Sequence, residues 1–240
     1  MRALVLAIAL TACASPNRTL DPSVTPRPAD PAPEAVLAAR AHVVAVYVNA
    51  TCDHLPTESV QRGTGFWVNS TTVATAGHAM DVRDQMFPDF AVVGPEGCMN
   101  ARYADWFEHV DLLFLMVSGS HEGGVAFETR RPAQDEPLWQ YVFQGRNDLN
   151  RSAILTPIRI KVDEIDSSRV HFETRPPPAP GDSGAPVFDA QGRLVGMTQA
   201  IGSYEKKPEL GTFGVHLTSL VIRHYLAECA GGGPCGEETP

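Results

Sequence analysis

Beyond residue 34 the chain is a succession of short apolar, β-branched runs separated by Gly, Pro, Asn and Asp. Runs of this kind, recurring about every 8 to 12 residues, predict the strands of an all-β sandwich or barrel. The pattern places strands at 42–49, 61–69, 72–76, 91–94, 101–106, 112–117, 138–144, 154–162, 170–174, 185–188, 194–200 and 212–217. Asn69-Ser70 predicts a hairpin turn between the second and third. Two segments break the rule. Residues 34–41 predict a short helix. Ser219 to Cys229 has apolar residues at Leu220, Ile222, Tyr225 and Leu226, which predicts a C-terminal amphipathic helix with Ser219 as its N-cap. There is no visible internal repeat.

The N-terminus follows a different pattern. Met1-Arg2 precedes an apolar run from Ala3 to Ala12 and then Cys13. One positive charge before about ten apolar residues predicts a short secretory signal. It is too short to span a bilayer, which takes about 20 residues. Leu10-Thr11-Ala12-Cys13 resembles the lipobox of bacterial lipoproteins, which implies cleavage before Cys13 and acylation of its thiol; the alternative is an ordinary signal peptide cut nearby. Pro16, Pro22, Pro26, Pro28, Pro31 and Pro33 then predict an extended tether. The organisation expected is a signal at 1–12, a lipidated N-terminus and linker at 13–34, one domain at 35–228 and a tail at 229–240.

Composition agrees with a turn-rich β protein, with 20 Gly and 20 Pro among 240 residues. The net charge of −9 argues against a nucleic-acid partner, which calls for a basic face, and against attraction to an anionic membrane surface. A membrane is expected to be met through the lipid anchor only. Five cysteines are an odd number. With Cys13 assigned to the anchor, four remain in a compartment that permits disulfides. Cys229 and Cys235 are close in sequence and are expected to pair, leaving Cys52 with Cys98. A metal site is the competing reading, but neither pair has C-x₂-C spacing and no His cluster accompanies them. No metal or organic cofactor is expected.

Three segments carry candidate chemistry. Val73-Ala74-Thr75-Ala76-Gly77-His78 presents a histidine at the tip of a strand of small residues. Asp111 opens the apolar strand Leu112 to Leu115. Pro180-Gly181-Asp182-Ser183-Gly184 sets a serine in a glycine-flanked turn. A serine hydroxyl becomes a useful nucleophile when a neighbouring base takes its proton, and His78 can be that base near neutral pH. A carboxylate on the other ring nitrogen fixes the tautomer, and Asp111 is preferred over Asp105, which no buried strand follows. Glycine at 181 lets the backbone turn so that the Gly181 and Ser183 amides can converge on a developing oxyanion.

Thr75-Ala76-Gly77-His78, Asp111-Leu112-Leu113-Phe114 and Gly181-Asp182-Ser183-Gly184, in that order, resemble the trypsin-like serine endopeptidases of chymotrypsin fold. The resemblance runs from about Val43 to Leu226 and is nearest to the bacterial HtrA/Deg and glutamyl-endopeptidase branch. It implies two antiparallel β-barrels with a cleft between them, a His78–Asp111–Ser183 triad and polypeptide substrates. It places Pro177, six residues before the serine, at the floor of the S1 pocket. It places Thr198, Gln199 and Ala200 along the cleft, Gln199 beside the triad acid, and His216 on a strand bordering S1. No acid stands at 177, so small or medium uncharged P1 residues are expected rather than Lys or Arg. A His at 216 is similar to glutamyl endopeptidases, although a packed histidine is the simpler reading. No Ile-Val-Gly-Gly-like start precedes the domain, so Asp182 needs a partner other than a newly cut N-terminus. The expected location is the cell envelope, and the rival functions are a catalytically idle peptide-binding protein or an esterase.

Overall fold

A computed structural model describes residues 31–55, 63–80, 88–144, 154–165, 170–179, 181–203 and 212–230. The expectations for the signal segment, Cys13 and most of the Pro-rich tether fall outside these residues. Among the described residues no helix is long and apolar enough to cross a membrane.

Twelve strands form two closed six-stranded antiparallel barrels. The first contains β1 (Val43–Val48), β2 (Gly63–Trp67), β3 (Thr72–Ala76), β4 (Asp89–Gly94), β5 (Gly97–Phe107) and β6 (Leu112–Val117), in the order β1-β2-β3-β6-β5-β4. The second contains β7 (Pro137–Gln144), β8 (Ile154–Ile165), β9 (His171–Arg175), β10 (Pro186–Phe188), β11 (Leu194–Ser203) and β12 (Thr212–Thr218), in the order β10-β11-β12-β9-β8-β7. This is the chymotrypsin-like architecture. Closure removes the free edges that an open sheet would expose.

The apolar runs read as strands because one or both of their faces are buried, both in β1, β2, β3 and β6. In β6, Leu113, Leu115 and Val117 point into the first barrel, with Val44, Val46, Trp67, Phe90 and Val92. The alternate residues Leu112 and Phe114 point the other way, into a cluster shared with Phe188, Leu194, Met197 and Leu217 of the second barrel. That shared cluster welds the barrels together. The second barrel's own core is Leu138, Ile158, Ile160, Val162, Phe172, Val187 and Val195.

Helix α1 (Glu34–Ala39) ends in a 3-10 turn, Arg40–His42, slightly short of the predicted helix. It is pinned to the second barrel by the Tyr141 hydroxyl, which donates to the Val36 carbonyl at 2.6 Å. Burial raises the Tyr141 phenol to about 12, so it remains a donor. The one-turn helix α2 (Gly77–Met80) carries His78, and α3 (Ser219–Ala230) closes the domain. Ser219, expected as the cap, is the first residue of α3. Its hydroxyl donates to the Glu128 carbonyl at 3.0 Å, and Ser219 is buried, so the start of the helix lies against that loop.

The Asn69-Ser70 hairpin is present: Asn69 Oδ1 accepts from the Thr71 and Thr72 amides, each at 2.9 Å. Such an Asx turn substitutes a side-chain acceptor for a backbone one. Cys52 and Cys98 form a disulfide. Cys229 is also disulfide-bonded, while Cys235 lies outside the described residues.

Candidate active site

His78 and Asp111 meet because their strands are neighbours. β3 and β6 pair with Ala76 opposite Leu112, so the residues just beyond these ends, 77–78 and 111, face one another. Asp111 ends the 3-10 turn Glu108–Val110 in the left-handed region, at φ 52 and ψ 43. A short polar side chain tolerates this conformation better than most. Its backbone carbonyl accepts from the Gly77 amide at 3.3 Å. Its carboxylate takes the His78 amide on Oδ1 at 2.7 Å and the His78 ring Nδ1 on Oδ2 at 2.5 Å. A carboxylate only accepts, so Nδ1 carries the ring proton and Nε2 presents its lone pair. Nε2 lies 3.1 Å from Ser183 Oγ, across the gap between the barrels. The three sequence-predicted groups are therefore in hydrogen-bonding order. Asp105, the rejected candidate, accepts from the Trp106 amide at 2.8 Å.

The serine side is a turn without regular secondary structure. Gly181 and Gly184 have φ of 96° and 83°. Gly184 has no room for a side chain: a Cβ there would run into the Thr64 carbonyl and come within 2.5 Å of Thr75 Oγ1. Gly181 faces open space. Asp182 is buried, and its Oδ2 accepts the Ala179 amide at 2.7 Å while its own amide donates to the Ala179 carbonyl at 3.0 Å. This carboxylate thus braces the loop that precedes the serine. Two further backbone bonds, Gly184 N–H to Thr198 and Ala185 N–H to Asp182, both 2.8 Å, complete the turn. Among the described residues, neither the Gly181 nor the Ser183 amide donates to another group.

The remaining predicted residues divide. Thr198 and His216 are buried against each other, and for His216 this is the packed arrangement that the sequence made the simpler reading. Thr198 Oγ1 lies 3.2 Å from His216 Nδ1, and Thr174 Oγ1 lies 2.6 Å from His216 Nε2. The ring stacks on Phe172 at a centroid distance of 4.9 Å. Burial, with a lesser contribution from His171, lowers its pKa to about 3, so it is neutral. The Thr198 amide and carbonyl are occupied by Ala185 and Gly184. Gln199 is also turned inward, and its side-chain amide donates to the Val110 carbonyl, next to Asp111 but not on it. A β-bulge between Thr198 and Ala200 explains why these two adjacent side chains are both buried. From Gln199 to Ser203, β11 has a described partner strand, β12, on one edge only. Ala200 is half-buried there and Ile201 is 48% exposed. Pro177 is half-buried, whereas Pro178 is buried and packs against Gly214. Among the described residues no His, Cys, Asp and Glu group has the geometry to hold a metal.

Sequence reasoning did not single out Thr64 as a site residue. It lies in the first barrel, yet its amide donates to the Ser183 carbonyl at 2.8 Å and its hydroxyl to the Gly181 carbonyl at 3.1 Å. The available signal was a hydroxyl residue set between two glycines on a strand that is otherwise apolar.

Comparison with known proteins gives the same architecture. The Rv3671c protease from M. tuberculosis, in its active form, superimposes with a TM-score of 0.63 at 18% identity, over 93% of this chain and 96% of that one. The serine endoprotease from Yersinia pestis gives 0.62 at 15% identity, over 81% of this chain and 64% of that one. The MamO protease domain from Magnetospirillum magneticum gives 0.58 at 16% identity, over 78% and 96%. No curated protein matches by sequence. A family profile described as the trypsin-like peptidase domain matches residues 63–197, from the start of β2 to the middle of β11. The chain belongs to the trypsin-like peptidase domain family.

Proposed function

We propose that this chain is a serine endopeptidase of the bacterial cell envelope, held there by a lipid on Cys13. The observation that carries the catalytic reading is the hydrogen-bonded row Asp111–His78–Ser183, drawn from both barrels. Ser183 Oγ attacks the carbonyl carbon of a peptide bond, and its proton passes to His78 Nε2. Asp111 holds the imidazole in the accepting tautomer and stabilises the imidazolium that forms. The negative charge on the carbonyl oxygen is taken by the Gly181 and Ser183 amides. His78 then protonates the leaving amine as the C–N bond breaks, giving an ester on Ser183. Water, deprotonated by His78, attacks that ester, and the proton returns to Ser183 as the acid product leaves.

The open stretch of β11 from Gln199 to Ser203 supports binding of an extended peptide as an added strand. Proline rather than an acid at position 177, where the resemblance puts the floor of the S1 pocket, favours uncharged P1 residues, and the neutral His216, bonded through both ring nitrogens, offers no proton to a P1 carboxylate. Digestion of a peptide library by the purified chain tests both points. Cleavage after small or medium uncharged residues, absent in Ser183→Ala, is the expected result. Preference for Arg, Lys or Glu contradicts the specificity. Failure to cleave any peptide while the fold is intact contradicts the endopeptidase reading and favours the idle binding protein.

A further inference from the structure

We propose that Thr64, in the opposite barrel from the nucleophile, is a positioning residue for the oxyanion-binding turn. The inference rests on the Ser183 reading above. Gly181 sits at φ 96° with nothing within 4 Å of the place a Cβ would occupy, so no neighbour beyond the adjoining residues crowds that side of the turn. Glycine populates positive and negative φ with similar ease, so hydrogen bonds to the neighbouring carbonyls help hold the turn in the conformation that presents its amide. The Gly181 carbonyl is held by the Thr64 hydroxyl at 3.1 Å, and the Ser183 carbonyl by the Thr64 amide at 2.8 Å. One residue thus fixes the backbone on both sides of Asp182.

Thr64 is itself held. It has no exposed surface, so water does not compete for its hydroxyl. Its carbonyl accepts the Thr75 hydroxyl at 2.8 Å, and Thr75 lies on β3, three residues before His78. Gly63, its neighbour, lies so close to the nucleophile turn that a Cβ there would sit 3.0 Å from the Ser183 carbonyl. The row Thr75–Thr64–Gly181 ties the turn that presents the two amides to the strand that presents the base. Displacing a reacting or stabilising group by about 1 Å can lower a rate by about a hundredfold.

The test is phosphonylation of the full chain by a fluorophosphonate, with its rate followed against reagent concentration to separate kinact from KI. In this reaction Ser183 Oγ bonds to phosphorus, fluoride leaves, and the serine proton passes to His78. The negatively polarised phosphoryl oxygen takes the oxyanion position. Thr64→Val keeps the side-chain shape without the hydroxyl and should lower kinact by about tenfold to a hundredfold, with KI within twofold of wild type. Thr64→Ser keeps the hydroxyl and should stay within about threefold of wild type. Circular dichroism of the Val variant gives its folded fraction, and the rate divided by that fraction is the rate of the folded molecules. If wild type is phosphonylated but Thr64→Val matches it, or if Thr64→Ser falls as far as Thr64→Val, or if the loss is confined to KI, the Thr64 inference is overturned and the Ser183 reading stands. If wild type is not phosphonylated, the Ser183 reading fails and takes this inference with it.

Discussion

The two barrels contribute to the site in unlike ways. The first delivers His78 and Asp111 from the ends of paired neighbours, β3 and β6, so their spacing is set by the sheet register. The second delivers Ser183 from a turn with no strand or helix of its own, shaped by two positive-φ glycines. That turn is held from outside, by Thr64 of the first barrel, and from inside, by the Asp182 carboxylate. The same contrast separates the two well-placed histidines. His78 is partly exposed and spends its ring nitrogens on Asp111 and Ser183, whereas His216 is buried and spends both on threonine hydroxyls. A histidine near a cleft is read by what its second nitrogen meets.

The comparison can be broken most severely on the first-barrel side. Asp111→Asn removes the carboxylate that fixes the His78 tautomer and should lower kcat about 10⁴-fold with the fold retained, measured on any peptide the wild type cleaves. A loss below about tenfold would mean that Asp111 does not orient the base. On the second-barrel side the two glycines should differ. Gly184→Ala meets Thr64 and Thr75 and should destabilise by more than about 3 kcal/mol in chemical unfolding, while Gly181→Ala carries only its φ strain, about 1–2 kcal/mol. Equal effects would contradict the packing described for Gly184.

The disulfide sharpens the contrast as a stability feature remote from the chemistry. Cys52 and Cys98 both belong to the first barrel and close a separation of 46 residues. Replacing both by serine should destabilise by about 2–4 kcal/mol while leaving the phosphonylation rate of folded molecules unchanged. The smallest effect is expected at His216. Its pKa is about 3 in the folded state against an ordinary 6.5, so between these values the unfolded chain binds a proton that the folded chain does not. Stability from this group is complete above pH 6.5 and is lost as pH falls, by about 1 kcal/mol on reaching pH 5.5. His216→Gln should flatten that slope in urea unfolding followed across pH, and an unchanged slope would contradict the neutral, buried assignment.

The strands were legible because each apolar run is buried on one or both faces, and the sequence pattern located all twelve. Boundaries slipped where polar residues pair: β5 begins at Gly97, before any apolar signal, because its partner β4 runs to Gly94 around a tight turn. His78, Asp111 and Ser183 were legible from short motifs in order. What sequence could not reveal depends on contacts between distant segments. Thr64 gains its role from Gly181, 117 residues away. Gln199 could not be assigned a direction because the bulge at that point breaks the two-residue alternation. The packing of Thr198 against His216 likewise follows from the register of β11 with β12, which pairs these two positions across the sheet.

The proposed chemistry requires that His78 of one barrel activate Ser183 of the other. Treating the folded chain with a fluorophosphonate and mapping the adduct by peptide mass spectrometry tests it most directly. A single phosphonyl group on Ser183, absent when His78 is replaced by alanine, is the result predicted. An unmodified chain, an adduct on a different residue, or labelling of Ser183 at the same rate without His78 would contradict it.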